Sequence, residues 1–282
     1  MSRTGRRFAG VLGIALAACG ATRDDLADDV LELPAALREV SGIAVVDADT
    51  LACVQDEHGE IWFVDLRGAT APRAVRFGPK GDYEGLARVG DDYWVLRSDG
   101  WLGRLAARDG ELRIVSSSVL PGGFREWEAL CFDRDRNRLL VMPKVAFGET
   151  KEAREQRPIY AVDPASGIAD AEPVLILHRR RLLDQAAAKG LPWPVKHGKR
   201  APFEFACSEI AVVPASRDLL LLSAVDRVLL RVAPDGQLLA AMPLDEARLP
   251  QPEGLAFLAD GRLLIASEGR GGAARCVLVP VP

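Results

Sequence analysis

Glu84-Gly85-Leu86-Ala87 decides the fold, because close copies of it recur along the chain. They read Ser41-Gly42-Ile43-Ala44, Glu84-Gly85-Leu86-Ala87, Glu128-Ala129-Leu130-Cys131, Ser208-Glu209-Ile210-Ala211 and Glu253-Gly254-Leu255-Ala256. First residue to first residue, the copies are 43, 44, 80 and 45 positions apart. A period in this range marks a solenoid, a propeller or an array. Short apolar runs follow each copy, such as Tyr93–Leu96 and Leu102–Leu105, with Asp and Gly turns between them and no period of 3.6. Several short strands in a unit of that length describe a propeller blade.

Read as blades, the chain yields five. The first takes Ser41–Asp47, Leu51–Asp56, Ile61–Leu66 and Ala74–Phe77; the second runs from Glu84 through Tyr93–Leu96 and Trp101–Leu105 to Leu112–Leu120. The third takes Glu128 onward, Leu139–Met142, Ile159–Val162 and Val174–Leu177, with a charged loop from Gly148 to Pro158. The fourth takes Ser208–Val213, Leu219–Ser223, Val228–Val232 and Leu238–Met242. The fifth has only Glu253–Leu258, Leu263–Ala266 and Cys276–Val279. Val30–Leu33, alternating apolar and polar, supplies its fourth strand and closes the ring without a free sheet edge. The expected fold is therefore all-β, a five-bladed β-propeller over residues 30–282. The interval of 80 leaves room for a sixth blade, the alternative. Arg179–Gly190, Ala-rich and ended by Gly, reads instead as a short helix in an insertion spanning 178–205.

The N-terminus carries Arg3, Arg6 and Arg7, then an apolar run from Phe8 to Ala18 too short to span a bilayer as a mature helix. Leu16-Ala17-Ala18-Cys19-Gly20 matches a bacterial lipobox. Residues 1–18 are then a lipoprotein signal peptide, Cys19 is the lipidated residue and 19–29 are a tether. The mature domain is expected in the bacterial envelope, held at the membrane through its lipid and most simply at the outer membrane.

Formal net charge is −4, from 36 basic and 40 acidic residues, so no global bias points to nucleic acid. Cys53, Cys131, Cys207 and Cys276 could pair in an exported chain, with three connectivities open, but they fall in apolar, strand-like surroundings and read more simply as buried free thiols. Three histidines, His58, His178 and His197, spaced far apart, make a histidine-rich metal site a poor reading. A monomer is expected.

In ring order the quartets begin Ser, Glu, Glu, Ser, Glu. The start of each innermost strand lies near a propeller's axis, so these five side chains converge. Three carboxylates in a narrow channel raise one another's pKa, and protons or a cation must resolve the conflict. Oxygen donors without His or Cys favour Ca²⁺ or Mg²⁺, and a flexible ring suits Ca²⁺ better. The alternative is that the five residues only hydrogen-bond neighbouring blades.

The quartets, their order and the helical insertion before the fourth copy resemble the SdiA-regulated (YjiK-like) family of bacterial exported propellers, from about Leu31 to Val279. More distantly, the order Ser, Glu, Glu, Ser, Glu, with Glu128-Ala129-Leu130-Cys131 and Met142-Pro143-Lys144 and its charged loop, resembles the calcium-activated apyrases, five-bladed propellers with an axial calcium. That resemblance implies Ca²⁺ held by Ser41, Glu84, Glu128, Ser208 and Glu253.

Residues just after each second strand share one mouth of the channel: Asp56 and Glu57, Arg97 and Asp99, Lys144, Asp226, then Glu268 and Arg270. This collar reads as a ligand pocket in which Arg97 and Lys144 hold a small anion, or as solvated loop ends. No nucleophile elbow, P-loop or H-E-x-x-H is present. From His178 to Arg200 there are seven Lys and Arg against one Asp, which suits a lid over the collar, a contact for anionic lipid or polysaccharide, or plain solvation. The expected function is a calcium-binding scaffold for a ligand or protein partner. The alternative is a calcium-dependent phosphohydrolase of nucleotides or other phosphorylated small molecules.

Overall fold

A computed structural model describes residues 30–122, 124, 126–145, 150–193, 195–196, 199–200 and 203–282. Cys19 with the signal and tether, part of the charged loop, and His197 lie outside the described residues. After β1 (Val30–Glu32) and a 3₁₀ turn at Ala35–Leu37, blade one is β2 (Val40–Val45), β3 (Thr50–Gln55), β4 (His58–Asp65) and β5 (Arg73–Lys80). Blade two is β6 (Tyr83–Val89), β7 (Asp92–Arg97), β8 (Trp101–Arg108) and β9 (Glu111–Val119). Blade three is β10 (Trp127–Asp133), β11 (Arg138–Pro143), β12 (Gln156–Val162) and β13 (Leu175–His178). A small hairpin, β14 (Val195–Lys196) and β15 (Lys199–Arg200), precedes blade four: β16 (Glu209–Val212), β17 (Leu219–Ser223), β18 (Val228–Val232) and β19 (Leu238–Pro243). Blade five is β20 (Gln251–Phe257), β21 (Leu263–Glu268), β22 (Arg275–Val279) and then β1, which pairs antiparallel with β22. The chain is a five-bladed β-propeller closed by its N-terminal strand, as the repeats required.

The quartet explains why the blades stack. Its third residue packs toward the preceding blade and its fourth toward the following one. Ile43 meets Ala256 in one cluster, Leu86 meets Ala44, Leu130 meets Ala87, Ile210 meets Cys131, and Leu255 meets Ala211. Each boundary thus receives one large wedge opposite one small residue, which keeps the interior close-packed. Burying a wedge is worth roughly 1.5–3 kcal/mol. In four of the five quartets the second position is small because the next inner strand crosses it. A Cβ on Gly42 would lie 2.7 Å from Leu86 N, and one on Gly85 would lie 2.7 Å from Leu130 Cβ. Trp94 and Trp127 are buried between blades two and three.

The interval of 80 is filled without a sixth blade. A short helix, α1 (Lys151–Glu155), capped by the Thr150 hydroxyl, stands in the charged loop of blade three. The second helix, α2 (Arg179–Ala188), buries Leu182 and Ala186 in the cluster shared by blades three and four. It packs against the outermost strands β13 and β19, where Gln185 Oε1 accepts the Leu238 N–H at 2.6 Å. Arg157, buried, ties the returning chain down by donating to the carbonyls of Phe205 at 2.7 Å and Glu204 at 2.6 Å.

Candidate axial ring and collar

In four blades the first residue of the quartet is the extra residue of a β-bulge. The register slips between Val40 and Gly42, Tyr83 and Gly85, Trp127 and Ala129, and Pro252 and Gly254. A bulge takes a residue out of the ladder and re-aims its side chain. Ser41, Glu84, Glu128 and Glu253 are those residues. Ser208 stands directly before β16, its N–H donating to Leu222 O at 2.8 Å.

Their surroundings are now concrete. Ser41 Oγ donates to the Tyr83 carbonyl at 2.6 Å, linking blades one and two. Ser208 Oγ accepts the Ala224 N–H at 3.3 Å, and Ser208 and Glu253 are joined by a side-chain hydrogen bond. Glu128, buried, takes Lys144 Nζ on Oε1 at 2.8 Å. Burial, then the charges of Glu128 and Asp82, push Glu84 up to about 9. Burial raises Glu128 to about 7, although Lys144 pulls it down. Burial also raises Glu253, against the pull of Ser208 and Lys144. The three acids sense one another and share one ammonium.

A fourth carboxyl was hidden in the sequence. Glu209 occupies the second position of its quartet, where the other copies carry Gly or Ala, and that irregularity was its only signal. It is buried, and Oε1 accepts the N–H groups of Leu130 and Ile210, each at 2.9 Å. It bridges blades three and four at their inner strands. Burial first, opposed by those two N–H bonds, holds its pKa well above the ordinary value, with Glu128 and Glu253 adding to the rise.

The structure brings part of the collar together beside the ring. Asp56, Lys144 and Glu268 hold equivalent places, each one residue beyond the second-strand partner of the residue preceding the bulge. Asp56 is raised to about 6 by burial and by Glu39, Glu57 and Asp82, and its Oδ1 is buried without a hydrogen-bond partner. Glu268 is raised to about 8 by burial, Glu253, Asp56 and Glu39, with Arg270 opposing. Glu57 is exposed beside Asp56. Glu39, Asp82 and Glu126, which the spacing of the quartets did not single out, complete this acidic surface. The collar cations are engaged. Arg97 grips Asp99 at 2.9 and 2.7 Å and covers the Trp101 ring, while Arg270 Nε donates to Gln251 at 2.7 Å. Asp226 is consumed structurally, accepting from Ser223 Oγ at 2.6 Å and Glu204 N at 2.9 Å. His58 closes on Gln55 at the start of β4, and His178 lies 3.6 Å from Glu152 at the end of β13.

As donors for a hard cation the ring is chemically apt, offering three carboxyl groups and two hydroxyls. Among the described residues no three acidic, His or Cys side chains approach closely enough to form a ready cage. Among the described residues four thiols are free; Cys53, Cys207 and Cys276 are buried and Cys131 is partly so. Cys207 precedes β16 and does not lie within it. Among the described residues no helix is long and apolar enough to cross a membrane.

Solved structures share this architecture. Glutaminyl cyclase from Myxococcus xanthus is similar at 13% identity over 89% of this chain and 95% of that one, with a TM-score of 0.56. The luciferin-regenerating enzyme is similar at 10% identity over 89% and 95%, with a TM-score of 0.49. Virginiamycin B lyase from Staphylococcus aureus is similar at 14% identity over 90% and 74%, with a TM-score of 0.45. These are β-propellers, and at such identity the likeness speaks for fold alone. No family model matches the chain, and no curated protein matches it.

Proposed function

We propose that this propeller is a calcium-binding scaffold, anchored in the bacterial envelope through Cys19 and presenting the acidic collar to a ligand or protein partner. The likeness to the SdiA-regulated (YjiK-like) propellers suits that role. One observation carries it: burial lifts Glu84, Glu128 and Glu253, the equivalent residues of their blades, with Glu128 adding to the rise of Glu84 and Glu253 to that of Glu128. Only positive charge or protons relieve them. The ions would be held by the carboxylates of Glu84, Glu128 and Glu253 with the hydroxyls of Ser41 and Ser208; bound calcium would supply fixed positive charge to the axis.

The collar's charge favours a cationic group, such as a second metal ion or an organic amine, over an anion. Asp56 and Glu268 are both raised, Glu268 in spite of Arg270, whereas Arg97 and Lys144 are already paired. For the same reason a calcium-dependent phosphohydrolase has less support, since such a site needs free cations for phosphate.

The test is elemental analysis of protein prepared with calcium, together with thermal melts in calcium and in chelator. One calcium per chain, with a melting temperature that falls in chelator, is the expected result. No stoichiometric metal and no effect of chelator would remove the calcium reading. Calcium-dependent turnover of nucleoside diphosphates or phosphate esters, lost in Arg97→Ala, would restore the enzyme.

A further inference from the structure

The geometry points to Lys144 as a tethered counter-ion of the axial ring: its ammonium occupies the ring carboxylates while they hold no metal, and a divalent cation must displace it from Glu128 to bind. This deepens the calcium reading and rests on it.

Lys144 is not a loose surface side chain. Its N–H donates to Glu126 O at 3.0 Å, and its carbonyl accepts the N–H of Cys207 at 2.9 Å. Cys207 immediately precedes Ser208, so the Lys144 backbone is clamped between the third and fourth copies of the ring. From that anchor Nζ reaches Glu128 Oε1 at 2.8 Å. At the equivalent places in blades one, two and five stand Asp56, Ser98 and Glu268, none of them a cation.

A single charge on a fixed stem cannot satisfy three carboxylates, but it limits their repulsion and keeps the metal-free ring folded. A divalent ion brings twice the charge and can touch several oxygens at once. Ion and ammonium cannot share Glu128 Oε1 without strong repulsion. A receiving site exists: Glu126 Oε2 lies 4.0 Å from Nζ and is half exposed. Displacement therefore moves Lys144 from Glu128 toward Glu126, outward from the axis and onto the collar. Through this one side chain, occupancy of the ring changes the charge that the collar presents.

Calorimetric titration of purified protein with calcium chloride, after removal of metal, tests this with Lys144→Met and Lys144→Arg beside the wild type. Taking one unit charge from within a few ångströms of a divalent ion should tighten the dissociation constant at least about tenfold in Lys144→Met. Lys144→Arg keeps the charge and should bind no more tightly than wild type. The metal-free Lys144→Met protein should melt below wild type, and calcium should raise it by a larger interval. If that variant does not fold without calcium, Lys144→Gln replaces it, and folding upon addition of calcium is a supporting result. Equal or weaker calcium affinity in the neutral variants overturns the role of Lys144 while leaving the calcium site standing. Absence of binding in wild type and neutral variants alike overturns both.

Discussion

Glu84→Gln should stabilise the metal-free protein at neutral pH. In the folded chain, burial, Glu128 and Asp82 raise Glu84 from 4.5 to about 9. Below pH 4.5 the carboxyl is protonated folded or unfolded and has no effect on stability. Between 4.5 and about 9 the unfolded chain releases the proton and the folded chain keeps it, so stability falls as pH rises. At pH 7 this costs the folded state about 3 kcal/mol. Glutamine is neutral throughout and has nearly the same shape, so it escapes that cost. For a domain of this size, the gain corresponds to a rise in melting temperature of about 6–12 °C. Melts of wild type and variant in chelator, at pH 4.5, 6, 7 and 8, measure it. The two curves should meet at the acid end and separate steadily toward pH 8. Added calcium should stabilise the wild type much more than the variant. A variant that melts at or below wild type at pH 7, or a gap independent of pH, would refute the reasoning, because Glu84 would then be ionised and already satisfied.

Two further perturbations address the scaffold. Gly42→Ala places a methyl 2.7 Å from the Leu86 backbone nitrogen, where no flexible side chain can yield, and should cost about 1–3 kcal/mol by chemical denaturation. Removing residues up to Glu32 exposes the β22 edge and deletes the three pairings Val30↔Val277, Leu31↔Cys276 and Glu32↔Arg275. Stability should drop by about 2 kcal/mol, and light scattering on heating should increase as the freed edge recruits other chains.

Much of this architecture was legible because it is repetitive and local. The five quartets set the number of blades, since each carries a wedge and a small partner that only a neighbouring quartet can complete. Val30–Leu33 announced the closing strand because blade five was one strand short, and Arg179–Gly190 announced α2. The expectation that Ser41, Glu84, Glu128, Ser208 and Glu253 share the axis came from the repeat alone, since equivalent residues in a closed ring share one radius. What the quartets could not convey was which charges are spent. Arg97 closes on Asp99, Asp226 on Ser223 and the Glu204 amide, and Lys144 on Glu128. Glu209 reaches the Leu130 amide, 79 positions away in the chain.

The sequence by itself determined the number, order and closure of the blades, because these rest on the period and on residue size, which are properties of the chain. Only the tertiary structure decided that Glu209 is buried among the ring acids, that Lys144 is taken up by Glu128 and that the described part of the collar is mainly acidic. Ion pairs depend on which side chains distant segments bring within about 3 Å, and no spacing rule encodes that.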